Sequence, residues 1–344
     1  MSSTIEEFGA TEDGRNVQLV TLEDGLRAQL LTIGAAIQTL EVPDRAGQPA
    51  NVVLGLRTAA DYAKRSPHFG AVAGRYAGRI RRGRFVLDGA EHQLPQNDGV
   101  NSLHGGPAGF GRQVWQIEDA DPRSVSLSYL SPDGEAGYPG TLWTRLTYRV
   151  EGTTLRLDYE ATTDRATVLN LTNHSYFNLA GEGSGDVFAH ELQIEADSVL
   201  EQDAQSLPTG RMLPVEGTPF DFRTPRRIGE RIREAHPQVL FGLGYDQCFV
   251  LRGEGLRQIA TVKDGRSGRV MVVRTDQPGV QLYTANKLTG ALAGLSGRTY
   301  RSGDALCLET QHYPDSPNQE AFPSTVLRPG DVFRSRTEYT FSAG

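Results

Sequence analysis

The chain has 344 residues, 38% of them hydrophobic, with 42 acidic against 35 basic side chains and a net charge of −7. A chain of this length can bury a sizeable core without disulfide or metal staples, and an acidic balance argues against nucleic acid or anionic membranes as partners. Mean hydropathy is −0.41, and no stretch approaches the 18 or so apolar residues of a membrane span.

In chain order, Met1 to Ala10 carries Glu6 and Glu7 and no apolar run, which is not the pattern of a secretory leader, so a cytoplasmic location is expected. A short helix is predicted after Thr58. The basic run Arg79, Arg81, Arg82 and Arg84 reads as arginines on a strand projecting to solvent, Arg79 excepted. Asn101-Ser102-Leu103-His104-Gly105-Gly106 puts an imidazole beside glycines that allow close approach of a ligand to backbone.

The middle of the chain has a period of two. Val125, Leu127 and Tyr129 alternate with serines, and Leu155, Leu157 and Tyr159 alternate with Arg156 and Asp158. These are half-buried strands, punctuated by turns such as Pro132-Asp133-Gly134 and Glu151-Gly152. An apolar strand, Val168 to Leu171, runs into Thr172-Asn173-His174-Ser175-Tyr176-Phe177-Asn178, where polar groups sit between aromatics. Thr224-Pro225 predicts a cap and a short helix, with Ile228 and Ile232 on one face and an end near His236-Pro237.

Further on, Asp246 borders the hydrophobic strand Cys248 to Val250. Val270 and Val272 precede the turn Asp276 to Gly279, and Val280 and Leu282 follow it. Glu309 closes the uncharged run Ala305 to Leu308. An acid at the end of a buried strand is costly unless it is paired or functional. Cys248 and Cys307 lack CxxC spacing and are expected to be buried free thiols. With few short helices and no βαβ alternation, the pattern predicts an all-β chain folded over residues 1–344 as one domain, a large twisted antiparallel β-sandwich.

The chain has no GxxxxGK[ST], GxSxG or HExxH motif. A two-histidine, one-carboxylate metal site from His104, His174 and Glu309 is a minor reading, because the spacings are long; no resident metal or cofactor is expected.

The stretches Phe69-Gly70-Ala71, Gly74 to Ile80, Asn101 to Gly106, Asn170 to Leu179, Pro208-Thr209-Gly210, Gly217 to Phe222, Tyr245-Asp246, Pro278 to Thr284, Leu308 to Gln311 and Tyr313 to Asp315 stand together in one order. On these, the chain resembles the aldose 1-epimerase (galactose mutarotase) family over nearly its whole length. The resemblance implies a galactose mutarotase-like sandwich acting on a small-molecule aldose as a monomer or homodimer. It casts Glu309 as general base and His174 as general acid, with Arg79, His104, Asp246 and Gln281 holding sugar hydroxyls. Glu309 and Asp246 are expected to help keep His174 protonated, and Tyr176, Phe177 or Trp143 to offer a stacking face. The family usually has Asn before the sugar-binding arginine; here Gly78 stands there. The competing readings are a non-catalytic sugar-binding sandwich and a hexose-6-phosphate mutarotase.

Overall fold

The computed structural model describes residues 4–344; Met1 to Ser3, part of the stretch read for a leader, lie outside it. Among the described residues three large antiparallel sheets, with five two-stranded ones beside them, build the molecule. The first runs through the N-terminal strands Thr4–Ala10, Asn16–Glu23, Arg27–Leu31, Ala36–Pro43 and Pro49–Asn51, paired in sequence order. The second has nine strands. Gln116–Asp121, Ser124–Ser131, Leu142–Glu151 and Thr154–Thr163 form a meander, and the last of these pairs with the C-terminal strand Phe333–Ala343. Arg269–Thr275, Arg257–Lys263, Glu191–Ile194 and Arg226–Arg227 complete it. The third has the order Pro208–Pro214, Ala196–Gln202, Asp246–Leu251, Gly279–Tyr283 and Cys307–Gln311.

The period-two reading places the strands well. Val125, Leu127, Leu155 and Leu157 are fully buried, in one cluster with Val280, Leu282 and Leu308 of the third sheet. This cluster joins residues from Val20 to Phe341, so the sheets pack on a shared apolar interior. On Arg269–Thr275 the phase is the reverse of the one the valines suggest. Met271 and Val273 point inward, while Val270 and Val272 are half-buried. Both cysteines are free and buried.

Three local expectations need correction. The segment after Thr224 is not an α-helix. Arg226–Arg227 pairs as a strand with Glu191–Leu192, and only a single 3₁₀ turn, Ile228–Glu230, follows. The N–H groups of Ile228 and Gly229 bond to the carbonyls of His190 and Phe188, so tertiary pairing takes the donors a helix would need. The helix lies one step later, at Pro237–Gly242, where His236 is the N-cap and its imidazole accepts from the Gln238 N–H. The arginine run is not an alternating strand either: Arg79–Ile80 is extended, Arg81–Gly83 is a 3₁₀ turn, and Arg81 pairs with Asp203 and Asp315. The strand expected at Val168 to Leu171 is limited to Thr167–Val168. The helix after Thr58 is present at Ala59–Lys64, capped by the Thr58 hydroxyl. Among the described residues no helix is long and apolar enough to cross a membrane.

Candidate active site

The third sheet sets out one wall of a hollow that is open at its mouth. In a strand, alternate residues share a face. Val199, Phe249, Val280, Leu282 and Leu308 turn to the apolar core. Their neighbours Gln202, Asp246, Cys248, Gln281, Tyr283, Glu309 and Gln311 line the hollow. Register puts Gln281 directly opposite Glu309 and Cys248 opposite Gln281. Gln281 Nε2 donates to Asp246 Oδ1 at 2.7 Å. Both faces of these strands are covered, so polar side chains stand on strands that otherwise read as core.

The opposite wall comes from loops. Arg79–Ile80 pairs with Ser102–Leu103, which brings Arg79 and His104 together. His104 holds a positive φ of 51°. A Cβ at the following Gly105 would lie 1.9 Å from the Gly74 carbonyl oxygen, so only glycine fits this turn. Gly78 N–H donates to His104 Nδ1 at 3.2 Å. Its φ is +78°, and a Cβ there would meet Pro314 at 3.1 Å. Arg79 is buried, and its Nε donates to Asp98 Oδ2 at 2.6 Å.

His174 follows the two-residue strand Thr172–Asn173, which pairs with Val72–Ala73. Its backbone is held at both ends: its N–H donates to Ala71 O, and its carbonyl accepts from Gly70 N–H. Tyr176 lies parallel to its ring, with centroids 5.0 Å apart and planes 17° apart, and His68 stacks at 5.9 Å and 20°. His174 Nε2 comes 3.5 Å from Glu309 Oε1, and both side chains are almost wholly buried. Thus all six candidate residues, Glu309, His174, Arg79, His104, Asp246 and Gln281, line the same hollow.

Burial dominates the electrostatics. It raises the Glu309 carboxyl well above the usual carboxylate range, with the charge of Asp246 adding to the rise and Arg79 opposing it. It lowers His174 to about 4 and His68 to about 3, and it lowers His104 strongly. The expectation that neighbouring carboxylates keep His174 protonated is therefore not met: burial lowers the imidazole, and what opposes it is a hydrogen bond to its own backbone. The two shifts run in opposite directions, and each favours the neutral form of its group. That suits a pair sharing one proton.

The donor atoms of His104, His174 and Glu309 lie within 4.8 Å of one another. The hydrogen bonding does not suit a metal. His104 Nδ1 already accepts from Gly78, so its proton resides on Nε2, and neither nitrogen offers a free lone pair. That Nε2–H is instead a donor available to a ligand hydroxyl. The oxygens of Gln281 and Gln311 and the Nδ1 of His174 are buried without partners, which a ligand rich in hydroxyls would satisfy.

Of the aromatic candidates, Tyr176 lines the hollow. Phe177 is sunk in the main core, and Trp143, on the nine-stranded sheet, does not reach the hollow. Sequence reasoning passed over His68, Tyr283, Lys287, Gln202 and Gln311, all of which line it. The alternation Gln281/Tyr283 and Glu309/Gln311 was the available signal for two of them. His68 and Lys287 come from loops and had none.

Fold and hollow together define a class, the antiparallel β-sandwich with a carboxylate–imidazole pair at the floor of a polar cavity. The aldose 1-epimerase family profile matches residues 18–340, and the chain belongs to that family. It is 44% identical over 345 residues to a galactose mutarotase from Sus scrofa, with 99% of each chain covered. It is 36% identical to an aldose 1-epimerase from Escherichia coli, covering 96% of this chain and 97% of that one. Among solved structures, a GalM/aldose epimerase homologue from C. elegans superimposes with a TM-score of 0.87 at 32% identity, over 99% of both chains.

Proposed function

We propose that this chain, as a single domain and as a monomer or homodimer in the cytoplasm, interconverts the α and β anomers of galactose- and glucose-type aldoses. Relatives carrying the names galactose mutarotase and aldose 1-epimerase support the activity. The observation that carries the mechanism is the 3.5 Å approach of His174 Nε2 to Glu309 Oε1 inside a polar hollow.

Anomer exchange breaks the C1–ring oxygen bond. The C1 hydroxyl loses a proton while the ring oxygen gains one. Glu309 takes the first proton and His174 delivers the second. Rotation about C1–C2 exposes the other face of the aldehyde, and the same groups run in reverse to close the ring. The pair needs one proton in total. Raising the carboxyl and lowering the imidazole disfavours both the doubly protonated and the fully deprotonated pair, so one proton stays on it. Arg79, the His104 Nε2–H, Asp246 and Gln281 hold the hydroxyls. Nothing in this sequence of steps calls for a redox cofactor or a covalent intermediate.

Charge favours a neutral sugar over its 6-phosphate. The hollow is lined by Arg79 and Lys287, and both face Asp98. Asp98 and Asp246 balance these two cations, so the site carries no excess positive charge to favour a phosphate. Polarimetry on freshly dissolved α-D-galactose, α-D-glucose and glucose 6-phosphate tests the reading. Turnover of the first two is expected; a rate equal to spontaneous mutarotation with every aldose tried would refute it.

A further inference from the structure

The Arg79 guanidinium is buried, yet among the described residues its only hydrogen bond to protein is Nε to Asp98 Oδ2, at 2.6 Å. No acceptor among the described residues meets Nη1 or Nη2, and Arg79 lines the hollow. A guanidinium held at Nε presents its two outer nitrogens as a fork. Around it stand Asp246 and Glu309, whose charges also act on it. Untethered, the fork would be free to turn onto either carboxylate and away from a substrate hydroxyl.

We infer that Asp98 is the positioning residue for Arg79: its carboxylate accepts from Nε and turns the free Nη edge toward the sugar. Asp98 is suited to this by its place in the fold. It sits at the rim in the tight turn Asp98–Asn101, where the two backbones bond to each other in both directions. Asn101 in turn accepts from the N–H of Arg82, three residues past Arg79. The acid and the base it orients are therefore locked to one local framework. Lys287 comes from across the mouth, after the strand Gly279–Tyr283, and its Nζ reaches only to 3.9 Å of Asp98 Oδ1 with the side chain 58% exposed. It is a weak, screened partner.

The inference rests on the sugar-binding reading of Arg79, and its test separates the two. KM and kcat for galactose are measured by polarimetry on the parent protein, Asp98→Ala and Asp98→Asn, with thermal midpoints alongside. Asp98→Ala is expected to raise KM by about tenfold, with kcat within about twofold. Asp98→Asn, which keeps an acceptor oxygen, should recover most of the affinity. An unchanged KM in Asp98→Ala, a fall confined to kcat or to the thermal midpoint, or an equal KM rise in Asp98→Asn would each overturn the positioning role. A parent protein with no activity on any aldose would defeat the functional reading itself.

Discussion

Gln281 and Asp246 stand on adjacent strands of the third sheet, and the Gln281 amide donates to one oxygen of Asp246 at 2.7 Å. One carboxylate oxygen is thereby fixed, while the charge of the group raises the Glu309 carboxyl on the other side of Gln281 in the same sheet. Two consequences follow for Asp246→Asn. Loss of a charged acceptor for a sugar hydroxyl should raise KM by about tenfold or more. Removal of a nearby negative charge should also lower the Glu309 pKa, so the alkaline limb of the pH–rate profile should move to lower pH. A profile recorded from pH 4 to 10 checks both, and an unmoved alkaline limb would sever the electrostatic link.

The Glu309 and His174 pair should act as a unit. Glu309→Gln and His174→Asn are each expected to cut kcat by at least about 100-fold, with circular dichroism and thermal midpoint close to the parent. The double variant should be little worse than either single one, because neither group can run the exchange alone. In the parent, activity should fall at low pH as a second proton loads onto the pair, toward the value of about 4 that burial gives His174. It should fall at high pH as the shared proton leaves through the raised Glu309 carboxyl. A full-rate Glu309→Gln protein would remove the carboxylate from the mechanism.

Much of this arrangement is legible in the sequence. Leu155, Leu157 and Tyr159 alternate with Arg156 and Asp158 because one face of that strand meets the core and the other does not. Glu309 stands out because an acid ends an uncharged strand. The third sheet is less legible, since it is covered on both faces and its hollow-facing Gln202 and Gln311 look like ordinary strand polars. The Thr224 helix fails because a periodic pair of isoleucines is satisfied equally by a turn whose N–H groups bond to His190 and Phe188. Asp98 carries no signal at all. Its partner Arg79 is nineteen residues away through a hairpin, and only the fold joins them.

Buried neutral histidines should make the protein acid-sensitive. His174 and His190 are lowered to about 4 and His68 to about 3, each chiefly by burial. Unfolded histidines titrate near 6.5. Between these values the unfolded chain binds more protons than the folded one, so stability is fully present above about pH 6.5 and is lost as pH falls toward 4. Each such group costs about 1.4 kcal/mol per pH unit in that window. Thermal midpoints measured from pH 8 to 4 should drop below about 6.5, because the raised Glu309 carboxyl, which acts in the opposite sense, offsets only one of these histidines. His190→Gln, remote from the hollow, should soften the drop while leaving activity intact. A flat midpoint down to pH 4 would show that these imidazoles are not desolvated.

Gly78 offers the most direct handle on substrate choice. Its φ of +78° is in the left-handed region, and a Cβ there would stand 3.1 Å from Pro314, close enough that the proline must yield by a few tenths of an ångström. Asn tolerates this backbone region better than other residues with a side chain, so Gly78→Asn should fold with a modest loss of stability, about 1 kcal/mol. The new amide would project into a hollow that glycine now leaves open, beside His104 and Arg79. It should therefore change the ratio of kcat/KM among galactose, glucose, xylose and arabinose more than it changes kcat for any one of them. Gly78→Val, β-branched at positive φ, should lose much more stability with no such redistribution. Identical sugar preference in the parent and Gly78→Asn proteins would mean that this edge of the hollow does not touch the substrate.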